Sequence, residues 1–259
     1  MNNSKVFMHF RPEERPFVER CFDWITLSNE RSMIVTTPFL DPREQFIYQT
    51  ICNREADLVC LLDGGYPVAE RKRVIMAPDY FSIDESWSDV AFLRIETSDR
   101  GPLEHPDVLG AVLGLGIKRE MIGDIQPHNH GCDLVVAREM SDFLPLHLSS
   151  VGRKKVTVQT IVRNQFFYSE PDRITKNIIV ASLRLDAIVS EAFHLSRSKS
   201  QLMIKGKKCK INWQLVDQSD KLVEPGDTIS VRGSGRICVV GVEKTTKKGR
   251  SVVQILSFS

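Results

Sequence analysis

The chain has 259 residues, 42% of them hydrophobic, with no low-complexity stretch, no apolar run near the roughly 20 residues that span a bilayer, and no apolar leader after Met1-Asn2-Asn3-Ser4-Lys5. Membrane-spanning, exported and disordered classes are thereby set aside, and the length suits two or three globular domains of roughly 100–150 residues. The formal net charge of +2 conceals a division: residues 1–150 carry 15 Lys+Arg against 24 Asp+Glu, net −9, and residues 151–259 carry 20 against 9, net +11.

Residues 1–80 read as a small α/β unit. After Pro12 and Pro16, the stripe Phe17, Val18, Cys21, Phe22, Ile25 predicts a helix. Asp41-Pro42 has the form of an N-cap followed by a first-turn proline, and Phe46, Ile47 and Ile51 are the expected buried face. Leu58–Leu62 and Glu70–Met76 read as neighbouring strands joined through Asp63-Gly64-Gly65-Tyr66-Pro67.

Residues 81–165 alternate more regularly. Strands are expected at Val90–Ile95, Met121–Ile125, Cys132–Ala137 and Val156–Val162, with helices at Pro106–Leu115 and Met140–Leu148. The order β-α-β-β-α-β is ferredoxin-like and is shared by RNA-recognition (RRM) sheets. Those sheets stack bases on exposed aromatics of their central strands. Here the first strand offers only Phe92 and the third offers none, so a structural or docking role is expected of this sheet. Residues 164–182 are polar, contain Pro171 and suit a connector.

Residues 182–259 hold the basic module. Leu185, Ile188, Val189, Ala192 and Phe193 make an amphipathic helix. Ser196 can cap a second helix that Gly206 ends, and Arg197, Gln201 and Lys205 line one of its faces. Lys208–Trp213, Thr228–Arg232, Ile237–Val242 and Val252–Phe258 alternate like strands of a small curled sheet. Lys247-Lys248-Gly249-Arg250 fits the last hairpin turn. Backbone phosphates dominate nucleic-acid affinity, so this half is expected to hold an RNA.

Other chemistry finds less support. His128-Asn129-His130-Gly131-Cys132 could offer metal ligands, but Asn, His and Gly also suit a turn, and no distant Cys/His pair completes a tetrahedral set; no metal and no cofactor is expected. Gly114-Leu115-Gly116 with Lys118-Arg119 lacks the spacing and strand-first context of a phosphate loop. Six scattered cysteines without a C-x-x-C pair read as reduced thiols of a cytoplasmic protein.

Arg184-Leu185-Asp186, Ser196-Arg197-Ser198-Lys199, Ile204-Lys205-Gly206, Ile211-Asn212 and Gly226-Asp227 together resemble the S4 (αL-type) RNA-binding domain over about 184–240. The whole chain resembles the YlmH family of bacterial proteins. The resemblance rests on Gly64-Gly65-Tyr66, Ala69-Glu70-Arg71-Lys72-Arg73, Leu109-Gly110-Ala111, Gly114-Leu115-Gly116-Ile117-Lys118-Arg119-Glu120 and Gly123-Asp124-Ile125. One departure is His105-Pro106-Asp107, where the family more often has Arg in place of the proline.

The resemblance implies an α+β chain ending in an S4 domain, and a cytoplasmic protein of Gram-positive type, often encoded beside cell-division genes. Similar small proteins bind stalled large ribosomal subunits carrying peptidyl-tRNA, so structured rRNA or tRNA is the implied target. The implied contacts are Arg184, Arg197, Ser198, Lys199, Lys205, Lys207, Lys208 and Arg232, with Arg71, Lys72, Arg73, Lys118 and Arg119 as a secondary set. Asp186 is expected to hold the helix start or pair with Arg184. No catalytic residue is expected: the tyrosyl-tRNA synthetase signatures are missing, and nothing follows the module that could be a pseudouridine synthase domain. The acidic half would serve as a platform for a protein partner or for steering the module. The rival readings are an RNA-modifying enzyme whose site lies in residues 1–163, and a division-complex adaptor.

Overall fold

The computed structural model describes residues 10–99, 101–169, 173–246 and 249–258, in two compact units, Met1–Ser169 and Glu170–Ser259. Pro171 of the expected connector and Lys247 and Lys248 of the expected last turn lie outside the described residues.

In the first unit, helix α1 (Arg15–Arg31) buries Val18, Cys21, Ile25 and Ser28 and ends at Ser32, whose φ of 47° breaks the helical path. Strand β1 (Val35–Thr36) follows, then helix α2 (Pro42–Cys52). The Asp41 carboxylate accepts from the Glu44 N–H at 2.9 Å, and the Glu44 carboxylate accepts from the Asp41 N–H at 2.8 Å, a reciprocal cap that fixes where α2 begins. Its buried face is Ile47, Tyr48, Ile51 and Cys52. Phe46, expected inside, is 54% exposed and lies under the Arg43 guanidinium. At 3.6 residues per turn, the stripe through 47, 48, 51 and 52 leaves position 46 on the flank. Strands β2 (Leu58–Asp63) and β3 (Arg73–Pro78) pair antiparallel, with β1 on the other side of β3.

Strands β4 (Val90–Glu96), β5 (Ile122–His128), β6 (Gly131–Ala137) and β9 (Thr157–Ile161) form a second sheet in the order β5-β6-β4-β9, crossed by helices α3 (His105–Gly114) and α4 (Phe143–His147). All its pairings are antiparallel, and the element order matches the one read from the sequence. The second helix is shorter than expected, because Arg138–Met140 forms a separate 3₁₀ turn. A two-residue ribbon, β7 (Ser150–Val151) with β8 (Lys154–Lys155), precedes β9.

One face of this sheet packs Leu93, Ile95, Leu134 and Val136 against Val108 and Val112 of α3 and Leu144 of α4. The other face, which carries Phe92 and Val135, is covered by Phe39, Tyr66, Ala69 and Phe166. Phe92 is therefore buried, its ring 5.4 Å from that of Phe166 and under the Arg163 guanidinium.

The second unit is one six-stranded sheet with two helices. Strand β10 (Arg173–Val180) pairs with β15 (Ser251–Phe258) along its whole length, so the later part of the connector expected over 164–182 is a strand. An edge strand with both faces mostly in water needs no apolar alternation, which is why the irregular order Arg173-Ile174-Thr175-Lys176-Asn177-Ile178-Ile179-Val180 concealed it. Helix α5 (Leu185–Ala192) and helix α6 (Arg197–Lys205) follow, then β11 (Cys209–Ile211), β12 (Gln214–Val216), β13 (Thr228–Val231) and β14 (Gly235–Thr245). The strand order is β10-β15-β14-β13-β11-β12. Ile188, Val189 and Ile204 of the helices share a core with Ile211, Ile229, Ile237, Val253 and Ile255. No helix among the described residues is long and apolar enough to cross a membrane.

Candidate nucleic-acid interface

The site in the second unit is built around one buried carboxylate. Arg184 occupies the N-cap of α5 in an extended conformation, and the N–H groups of Leu185 and Asp186 donate to the carbonyls of Lys221 and Ser219, pinning the helix start. The Asp186 side chain is fully buried. It accepts two hydrogen bonds from Arg184 at 3.2 and 3.3 Å, two from Arg197 at 3.4 and 3.3 Å, and one from the Gln201 amide at 2.8 Å. Burial alone would raise this carboxyl. The bonds from Arg184, Gln201 and Arg197 outweigh it and hold the group at about 2, so it stays ionised.

One negative charge thus faces two positive ones. The carboxylate fixes both guanidinium groups, while the Arg184 and Arg197 side chains remain 37% and 51% exposed. A planar guanidinium held by one edge can still present its other N–H donors to a phosphate.

The second helix extends this surface. Ser196 accepts from the Lys199 N–H at 3.2 Å, so α6 begins where its cap was expected. Arg197, Ser198, Lys199 and Lys205 are exposed on it. Gly206 ends α6 in a right-handed conformation, and the left-handed residue is Lys207, with φ 54°. Its neighbour Lys208 donates its N–H to the Met203 carbonyl at 3.0 Å, which closes the helix end. A left-handed residue with a side chain costs roughly 1–2 kcal/mol, and the turn places Lys207 and Lys208 at an exposed corner. The Arg232 N–H bonds the Lys208 carbonyl at 2.9 Å, bringing a further exposed cation to that corner.

The secondary set is placed differently. Arg71 donates to the carbonyls of Ile122 and Phe39 at 3.0 and 2.8 Å, and Arg119 donates to those of Ile122 and Gly123 at 2.6 and 3.2 Å. Burial, followed by the nearby Arg71 charge, lowers the Arg119 guanidinium to about 10. Arg73 donates to the carbonyls of Thr37 and Asp89 and lies over the Phe39 ring, and burial lowers it as well. These three guanidiniums are struts between backbone segments. Lys72 is half-buried with its backbone paired to Leu40, and Lys118 is exposed.

Two clusters in the first unit have no counterpart among the expected contacts. Asp124 accepts from the Tyr66 hydroxyl at 2.7 Å and from the N–H groups of Glu70 and Arg71 at 2.6 and 3.1 Å. Burial, with the Asp124 charge beside it, pushes the Tyr66 hydroxyl far above its usual range. Gly65 has φ 90° and sits where a Cβ would meet the Phe92 ring at 2.9 Å, and one on Gly123 would meet Phe39 at 2.8 Å. The glycines and acids of the motifs quoted above thus let loop 64–72 lie on the sheet.

In the second cluster Asp133, fully buried, accepts two bonds at 2.8 Å from Arg94, one at 2.7 Å from the Phe167 N–H, and faces His128 at 3.2 Å. Burial opposes its ionisation, but Arg94 and the Phe167 N–H hold its carboxyl below the usual range. A lone acid inside the apolar run Cys132–Ala137 was its signal in the sequence. Of the three candidate metal ligands, His128 is engaged here and Cys132 is buried on the helix-facing side.

Known families match three stretches of the chain: "YlmH, N-terminal" over residues 13–81, "Putative RNA-binding domain in YlmH" over 89–165 and "S4 domain" over 183–229. The second description differs from the structural or docking role expected of that sheet. The "Ribosome-associated protein quality control protein P2" of Bacillus subtilis (strain 168) is 34% identical over 248 residues, covering 95% of this chain and 96% of that protein. The solved structure "Cell division protein ylmH from Streptococcus pneumoniae" is similar with a TM-score of 0.54 at 26% identity, over 61% of this chain and 96% of that one.

Proposed function

The chain belongs to the YlmH family, and from that premise we propose that it is a non-catalytic RNA-binding protein acting on structured rRNA or tRNA at the ribosome. The observation that carries the reading is the Asp186 anchor, which orients Arg184 and Arg197 while leaving both in reach of a phosphate. Arg197, Ser198, Lys199, Lys205, Lys207, Lys208 and Arg232 extend the contact over a surface wide enough for folded RNA. Clustered phosphates and 2′-hydroxyls are read there by shape. In this division of labour residues 182–259 grip RNA, residues 81–165, which match a family described as a putative RNA-binding domain, add to that contact, and residues 1–80 offer a surface to a protein partner. Of the secondary cations, Lys118 and Lys72 are the ones whose ammonium groups suit an additional phosphate.

The Bacillus subtilis relative is named for ribosome-associated quality control, which supports a ribosomal target; we take that target to be on the large subunit, in the cytoplasm. Cosedimentation of the full chain with ribosomal particles across a salt series tests the reading. Arg197→Ala and Lys205→Ala should each weaken retention and lower the slope of log K against log salt by about one unit. An unchanged slope in both variants removes α6 from the interface. The Streptococcus pneumoniae relative is named as a cell division protein, which favours a second reading, a division-complex adaptor. That reading predicts that the same two changes abolish RNA retention and leave the division phenotype intact.

A further inference from the structure

The helices of the second unit cover one face of its sheet, the face of Cys209, Ile211, Ile229, Val231, Ile237, Val239, Val253 and Ile255. Side chains alternate along a strand, so the residues between these lie on the opposite face. Cross-strand partners share a face, and the register lines up one row across all six strands. Arg173 of β10 is opposite Phe258 of β15, which is opposite Arg236 of β14. Arg236 is opposite Ser230 of β13, Ser230 is opposite Lys210 of β11, and Lys210 is opposite Leu215 of β12. Trp213, in the β11–β12 turn, joins the row: the Arg236 guanidinium lies 5.3 Å from its ring centre.

The row therefore carries three cations and two aromatic rings over about 24 Å, at roughly 4.8 Å per strand gap. None of these side chains is buried. Two acids near the row have partners of their own: Glu243 is held by Asn177 and Gln254 further along the strands, and Asp227 by Asn212 beside Trp213. Base stacking on an aromatic ring or a guanidinium plane, beside cations spaced along a path, is what an unpaired strand of nucleic acid requires.

We propose that this sheet face is a second RNA site, taking a single-stranded segment with bases on Trp213–Arg236 and Phe258 and phosphates on Arg173 and Lys210. The proposal rests on the reading of the chain as an RNA-binding protein and extends it: folded RNA lies on the helical face and an unpaired segment on the opposite one. Rows of this composition suit an acidic peptide less well, since two ring platforms would add nothing to recognising carboxylates.

The test uses the full chain and two probes, a fluorescent oligouridine and bulk tRNA, at low and moderate salt. Trp213→Ala and Arg236→Gln should each weaken oligouridine binding by roughly 5- to 100-fold, the usual effect of losing a stacking platform, and leave tRNA binding in place. Arg197→Ala should do the reverse. Trp213→Phe keeps a ring and should retain most oligouridine affinity. Arg173→Gln and Lys210→Gln, which leave the core untouched, should lower the oligouridine salt slope. The proposal is overturned if the chain binds tRNA but not oligouridine, or if oligouridine binding depends on Arg197 and ignores Trp213 and Arg236. Oligouridine binding that depends on Trp213, in a chain that does not hold tRNA, would sustain this site and remove the folded-RNA reading instead.

Discussion

Asp133 and Asp186 are the same device set to two uses. Each is a fully buried carboxylate that receives arginine guanidinium groups in near-parallel pairs of bonds. Around Asp133 the pairing closes inward: Arg94 is 25% exposed and donates again to the Gln165 carbonyl, and the Phe167 N–H and the His128 ring take the remaining space on the carboxylate. Around Asp186 it opens outward, with two arginines half in water on adjacent helices. The same contrast runs through both units. Arg71, Arg73 and Arg119 are bound to backbone carbonyls, whereas Lys199, Lys205, Lys208 and Arg232 stand in solvent. A count of cations therefore says less about a nucleic-acid surface than the number of donors left facing outward.

The contrast between the two carboxylates breaks most readily at Asp133. Asp133→Ala leaves a part-buried guanidinium and an N–H without their acceptor, and unfolding in urea should show a loss of about 3–5 kcal/mol with no change in RNA affinity of the folded protein. Reduced affinity in that variant would blur the distinction between the two sites. Next in size is Arg119→Ala, expected to cost about 1–3 kcal/mol while the salt slope of RNA binding stays as it was. The cost comes from the lost bond to the Gly123 carbonyl and the lost packing of the buried side chain; the Ile122 carbonyl keeps its bond from Arg71.

Asp186→Asn should destabilise by a similar amount and, unlike the other two, weaken tRNA binding, because Arg184 and Arg197 lose their shared anchor. The Asp186 carboxyl lies at about 2 in the folded state, below the ordinary value near 3.9 of an unfolded chain. Its stabilisation is thus complete above about pH 4 and is lost as pH falls toward 2, a loss that Asp186→Asn should not show in acid unfolding followed by circular dichroism. The smallest effect belongs to Ser196→Ala, about 1 kcal/mol from the α6 cap, seen as faster amide exchange in the first turn of that helix.

Much of the molecule was legible from local pattern. The α2 cap at Asp41, the α6 cap at Ser196, the β2–β3 pairing and the order of elements along residues 90–161 each follow from short-range rules of capping, turn chemistry and alternation. Strand β10 escaped because an edge strand borrows its order from its partner β15, and Phe46 was misplaced because one helical turn can face its core in either of two neighbouring ways.

What local pattern determined by itself was most of the elements and the basic character of the C-terminal half. Tertiary structure alone decided which arginines are free to meet a ligand, since that depends on carbonyls and carboxylates brought from distant segments, as Phe39 and Ile122 are brought to Arg71. It also aligned Arg173, Phe258, Arg236 and Lys210 in one row, because strand register joins residues that sequence separation keeps apart.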